Sequence, residues 1–161
     1  MIQFMMNCID YLLSKTITIL YSAIVIVGFI QVFSRYVFSL PLVWVEELTI
    51  YLFIWLTFFG AAMGVTRRAH VSVDFFVNLF PGSVKPFAYF LASGLSFIFM
   101  LIFTLLVTKL LQVSSAEISA TVGIPLSLVY LGVFLGSLFM CINMLRLMVG
   151  DFKRGFKKEP H

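Results

Sequence analysis

The chain has 161 residues, of which 61% are hydrophobic and 11% charged, with a formal net charge of +4. A soluble domain is about half apolar and about a quarter charged, so this surplus, with a mean hydropathy of +1.08, excludes a single water-soluble core and requires lipid or partner protein around the chain. The basic residues gather at the ends of apolar runs and form no basic face, which excludes a nucleic-acid binder and makes them markers of topology.

The first apolar run is Thr16 to Ser34. It exceeds the roughly 7–15 apolar residues of a signal peptide, and Arg35-Tyr36-Val37-Phe38 follows where small residues would mark a cleavage site. It is therefore expected to be a retained helix. Ser39-Leu40-Pro41 reads as a turn, with Pro41 suited to a first helical position. Glu46 and Glu47 then fall in the first turns of a second helix, where carboxylates favour the positive end of the dipole. The second apolar run is Leu48 to Thr66. In the next segment Val71, Phe75, Phe76 and Leu79 share one helical face, with His70, Asp74 and Asn78 on another. The pattern predicts a short amphipathic helix over 70–80 in the membrane interface, ended by Pro81-Gly82. The third run is Phe87 to Thr108; Thr121 to Pro125 breaks the chain before the fourth, Leu126 to Leu145.

None of the four runs contains Asp, Glu, Lys or Arg. Each reaches the roughly 18–20 residues that a helix needs to cross a hydrocarbon core of about 30 Å. Barrel strands would alternate polar and apolar residues, and these runs are apolar on both parities. The expected fold is an all-α integral membrane protein, one membrane domain over 1–161. Its transmembrane helices are expected at about 16–36, 46–66, 87–109 and 126–148, with a basic tail over 150–161. With four spans both ends lie on one side. That side collects Lys15, Arg67, Arg68, Lys85, Arg146, Lys153, Arg154, Lys157 and Lys158, against Arg35 and Lys109 on the other. The positive-inside rule then predicts both termini in the cytoplasm.

Gly60-x-x-x-Gly64 and Gly132-x-x-x-Gly136 have the small-residue spacing that lets helix backbones approach in lipid, and are expected in the bundle core. Arg35 is expected to pair with Glu46 or Glu47 and lock the outer ends of the first two helices. Tyr36, Trp44 and Tyr51 read as an aromatic belt at that boundary. Cys8 and Cys141 fit no metal or disulfide spacing and read as small buried hydrophobes. His70 and Asp74 make an i,i+4 pair, too few ligands for a metal site. No catalytic constellation, haem-ligating His pair or cofactor motif is present. Carriers and pumps place acids or broken helices near the midplane, and only residues such as Thr57, Ser93, Ser96 and Thr104 occur there. The residues read as a scaffold working beside a larger membrane subunit.

Arg35, then Trp44-Val45-Glu46-Glu47-Leu48, Tyr51, Trp55, Gly60-Ala61-Ala62 and Arg67-x-x-His70-Val71-x-Val73-Asp74 carry a pattern. It resembles the small membrane subunit, DctQ-like, of tripartite ATP-independent periplasmic (TRAP) transporters. The resemblance implies a non-catalytic subunit, without cofactor, in a bacterial inner membrane. Its partners would be a large membrane subunit carrying the substrate and sodium sites, and a periplasmic binding protein for an organic acid such as a C4-dicarboxylate or sialic acid. Arg35, Trp44, Glu46, Glu47, Tyr51, Arg67, His70 and Asp74 would then serve the subunit interface or lock the bundle. The alternatives are an anchor subunit of another membrane complex and a small homo-oligomeric carrier.

Overall fold

The computed structural model describes residues 2–66 and 85–156, which are helical almost throughout. Helix α1 covers Ile2–Val37, α2 Val43–Thr66, α3 Lys85–Val113 and α4 Leu126–Phe156, with a 3-10 turn at Ser114–Ala116. All four are long and apolar enough to cross a membrane. Helix is the natural solution for such segments, because each backbone N–H and C=O finds its partner within the segment and none is left facing hydrocarbon. The few hydroxyls follow the same logic. Thr18, Ser22, Thr49, Thr57 and Thr104 each donate to the carbonyl four residues back, at 2.7–2.9 Å. They therefore add little polarity to the surfaces they occupy.

Helix α1 begins well before the apolar run that announced it, and α4 stays helical into the basic tail as far as Phe156. Cys141 is buried, but Cys8 is exposed, contrary to the buried role expected of it. The amphipathic segment expected over 70–80, with Arg67, His70 and Asp74, lies outside the described residues.

Among the described residues α2 packs against α1 and α4, and α4 against α2 and α3. The helices therefore follow the order α1–α2–α4–α3 and do not close into a ring, since no backbone contact joins α1 to α3. The order explains the burial. Half of the most apolar stretch of α4 is buried, against 6% for α1. The core joins Leu13 and Leu20 of α1, Phe59, Ala62 and Val65 of α2, and Met140 and Met144 of α4. Phe58 stacks on Phe103 at 5.9 Å and links α2 to α3.

Two loops lie at one end of the row. After α1, Ser39 takes a left-handed conformation (φ 52°), and the Ser34 hydroxyl donates to the Leu40 carbonyl at 2.9 Å. Between α3 and α4 the chain forms a small hairpin. Ser119 N–H donates to Ile124 O and Leu126 N–H to Glu117 O, both at 2.9 Å, and Ile118 pairs with Pro125. Gly123 turns it with φ 74°, a conformation that costs a Cβ-bearing residue about 1–2 kcal/mol.

Candidate functional site

The polar chemistry of the chain gathers at the two ends of the row. At the loop end Glu47 stands in the second turn of α2 and meets the α3–α4 hairpin. Its Oε2 accepts hydrogen bonds from Thr121 N–H (2.9 Å), Val122 N–H (3.1 Å) and the Thr121 hydroxyl. Its Oε1 accepts the Tyr51 hydroxyl, one turn further along α2. Val122 N–H also lies 3.2 Å from Ser119 Oγ, and Ser119 is buried. A carboxylate that accepts several hydrogen bonds from one loop is a strong tether, because charge-assisted bonds are about twice as strong as neutral ones.

This arrangement corrects the ion pair expected between Arg35 and the glutamates. Among the described residues Arg35 and Glu46 are exposed, and the carboxylate that locks an end of the row is Glu47, bound to amides and hydroxyls. Five loop residues separate α1 from α2, and the carboxylate turns toward α4's approach instead of back toward α1. Tyr51 is drawn into the same cluster, whereas Tyr36 and Trp44 remain exposed at this end, 79% and 43% respectively.

At the other end, where α1 begins and α4 ends, a second cluster ties three helices. Asn143 of α4 is 1% exposed and donates from Nδ2 to the Ala62 carbonyl of α2 at 2.9 Å. Its Oδ1 accepts from Arg146 at 3.0 Å, and Arg146 reaches Asp10 of α1 at 3.4 Å. Neither Asn143 nor Asp10 stood out in the sequence. The signal was there: a lone amide in an apolar run, three residues before a basic side chain, so that both share one helical face.

Between the clusters runs the α2–α4 seam. A Cβ added at Gly132 would collide with the Trp55 indole, and one at Gly136 would stand 2.6 Å from Phe58 Cβ and 2.9 Å from its backbone carbon. Trp55 Nε1 also donates to Val129 O at 3.1 Å. The glycines of α4 thus receive the bulky side chains of α2. Among the described residues those of α2 do not serve the core: an added Cβ at Gly60 or Gly64 meets none of their atoms within 4 Å. They lie on a face with Ile50, Phe53, Thr57 and Ala61, all exposed. The reason is the opposite face, where Trp55, Phe58 and Phe59 claim the contact with α4. On the far side of α4, Thr104 Oγ1 lies 3.5 Å from Cys141 Sγ and marks the seam with α3. Among the described residues no three His, Cys, Asp or Glu side chains gather as metal ligands.

Four apolar helices in an open row, tied at both ends and along a glycine seam, define a small multi-pass membrane protein built from structural contacts. Residues 24–154 match the family described as tripartite ATP-independent periplasmic transporters, DctQ component, and the chain belongs to that family. It is 35% identical over 125 residues to the C4-dicarboxylate TRAP transporter small permease protein DctQ of Rhodobacter capsulatus, covering 76% of this chain and 54% of that protein. It is 31% identical over 153 residues to a putative TRAP transporter small permease protein of Haemophilus influenzae, covering 89% and 92%. It is also 28% identical over 130 residues to the sialic acid TRAP transporter permease protein SiaT of Haemophilus influenzae, covering 81% of this chain and 21% of that protein. The chain thus spans about half the length of the first of these relatives and about a fifth of the last.

Proposed function

We propose that this chain is the static small subunit of a sodium-driven importer of an organic acid in the bacterial inner membrane. It packs against the large membrane subunit, enlarges its fixed scaffold and helps to seat a periplasmic binding protein. The observation that carries this reading is the open face of α2, where Thr57 and Ala61 are exposed and a Cβ added at Gly60 or Gly64 would meet no atom of the described residues within 4 Å. Small residues at this spacing are a site of close helix–helix approach in lipid, and the large subunit supplies the missing helix. Family membership supports the same partner. So does the SiaT relative, in which the matching residues are a fifth of a longer permease protein. The substrate class follows from the relatives named for C4-dicarboxylates and sialic acid. The spans hold no acid or base in their apolar runs, so this chain orients and supports, and leaves sodium and substrate to its partner. It carries no catalytic role. With both termini in the cytoplasm, the Glu47 end of the row faces the periplasm.

The test is co-purification and uptake. Gly60→Leu with Gly64→Leu fills the open face without touching the α2–α4 seam. The double variant should stay folded by itself, lose the large subunit on affinity purification, and abolish uptake by proteoliposomes that hold all three components. Retention of the large subunit would remove this face from the interface, and uptake by this chain alone would establish a self-contained carrier.

A further inference from the structure

Helix α1 stands at one edge of the row, and among the described residues its backbone contacts α2 alone. Its buried apolar side chains are Leu13 and Leu20. In lipid such burial supplies little drive to associate, because lipid tails are as apolar as a neighbouring helix. Packing and polar contacts must therefore fix the angle of α1. At the loop end the chain does this covalently: five residues lead to α2, and the Ser34 hydroxyl and carbonyl both hold Leu40. At the opposite end α1 reaches α4 through side chains. Asp10 and Arg146 pair at 3.4 Å, although no backbone contact joins the two helices among the described residues. Both residues lie near the ends of the apolar spans Cys8–Val37 and Leu126–Val149, where water screens a charge pair less than on a soluble surface.

Arg146 is aimed at Asp10 by a third residue. A guanidinium on a flexible stem loses side-chain entropy when it is held in one rotamer. Asn143 removes that freedom beforehand. Its Oδ1 accepts, at 3.0 Å, from the same Nη1 that reaches Asp10. Its Nδ2 is anchored on the Ala62 carbonyl at 2.9 Å, and the side chain is buried. A chain of hydrogen bonds thus runs from the backbone of α2, through α4, to the carboxylate of α1. Its leverage is large. From Val37 to Asp10 the helix is about 40 Å long, so a tilt of about 10° at the loop would carry Asp10 about 7 Å.

We propose that Asp10 and Arg146 form a latch that fixes the angle of α1 against the row, with Asn143 as the positioning residue for Arg146. With the latch open, α1 swings about its loop to α2 while α2, α3 and α4 keep their arrangement.

The experiment is double electron–electron resonance on the full chain in lipid nanodiscs, so its outcome does not depend on the partners given under Proposed function. In a background with Cys8→Ser and Cys141→Ala, spin labels at Leu12→Cys and Leu91→Cys, both exposed positions, span the row from α1 to α3. The parent should give one narrow distance. Asp10→Ala and Arg146→Ala should each shift or broaden it by several ångström, as the lever arm requires, with helix content unchanged by circular dichroism. Asn143→Ala should do the same in the parent and add nothing in Asp10→Ala, since it acts by presenting Arg146. A control pair, Leu91→Cys with Leu131→Cys, joins α3 to α4 and should keep its distance throughout. Should Asp10→Ala fail to insert, Asp10→Asn removes the charge alone and should still broaden the distance from α1 to α3. An unchanged distance in the Asp10 and Arg146 variants would refute the latch. An Asn143→Ala effect that persists in full in Asp10→Ala would overturn the positioning role. Broadening of the control pair would reveal a general loosening of the row and refute the swing of α1.

Discussion

Gly136 and Gly60 sit in the same small-residue motif on two helices, and the structure predicts opposite outcomes for the same substitution. In Gly136→Ala the new Cβ would lie 2.6 Å from Phe58 Cβ and 2.9 Å from the Phe58 backbone carbon. Backbone cannot swing aside as a side-chain tip does, so restoring a contact distance of about 3.5 Å means separating α2 and α4 by about 1 Å. A gap of that size forfeits roughly a quarter to a half of each dispersion contact, and a buried side chain makes about 40–60 contacts of about 0.1–0.2 kcal/mol. The loss is about 2–3 kcal/mol, within the range known for overpacked cores. Replacing Gly by Ala in a helix returns about 1 kcal/mol of propensity. The net destabilisation is about 1–2 kcal/mol, roughly a 5–30-fold fall in the folding equilibrium. Gly60→Ala has the propensity gain without the clash and should leave the isolated chain unchanged or up to about 1 kcal/mol more stable. Unfolding of the isolated chain in mixed micelles of mild detergent and dodecyl sulfate, followed by circular dichroism, separates the two. A Gly136→Ala variant as stable as the parent, or a Gly60→Ala variant weakened to the same degree, would refute the assignment of the seam.

Two further predictions concern the polar end and the hairpin. Asn143→Ala and Arg146→Ala act on one network through the Asn143 Oδ1 bond, so their double-mutant cycle should show a coupling of about 0.6–1.7 kcal/mol, the range for polar contacts in membrane proteins; strict additivity would show that the bond contributes nothing. Gly123→Ala meets no atom within 4 Å but must adopt φ 74°, so about 1–2 kcal/mol of strain should speed exchange of the Ser119 and Leu126 amides by roughly 5–30-fold, and unchanged exchange would show that the turn has another conformation.

The four spans were legible because lipid imposes one rule on every residue of a segment, so an unbroken apolar run suffices. The family pattern was legible through spaced polar residues from Arg35 to Asp74. The order α1–α2–α4–α3 was hidden by the same apolarity, since helices that are apolar all round do not announce which face is buried. The two glycine motifs are alike in sequence, and only the bulk of Trp55 and Phe58 on the facing helix decides which is filled. Glu47 is legible as a locking residue, but its partner is not. Arg35 offered an opposite charge, whereas the true partners, Thr121 and Val122, lie 74 and 75 residues away and bind mostly through backbone amides that any residue carries.

Exposure alone would be a poor guide to the partner's place. Phe29 of α1 is 70% exposed and Phe99 of α3 64%, but lipid tails are as apolar as these side chains and cover them without cost. Such faces are indifferent between lipid and protein. The face of α2 with Thr57, Gly60, Ala61 and Gly64 is not. It offers lipid a shallow surface with few atoms to touch, and it offers a second helix its backbone. On α4 the equivalent opportunity is taken by Trp55 and Phe58 from within the chain. On α2 it is left open, and the row stays unclosed, so a helix from outside can reach it. A ring of four helices would have spent that face on its own core; an open row leaves it available to a helix from outside, the partner proposed above.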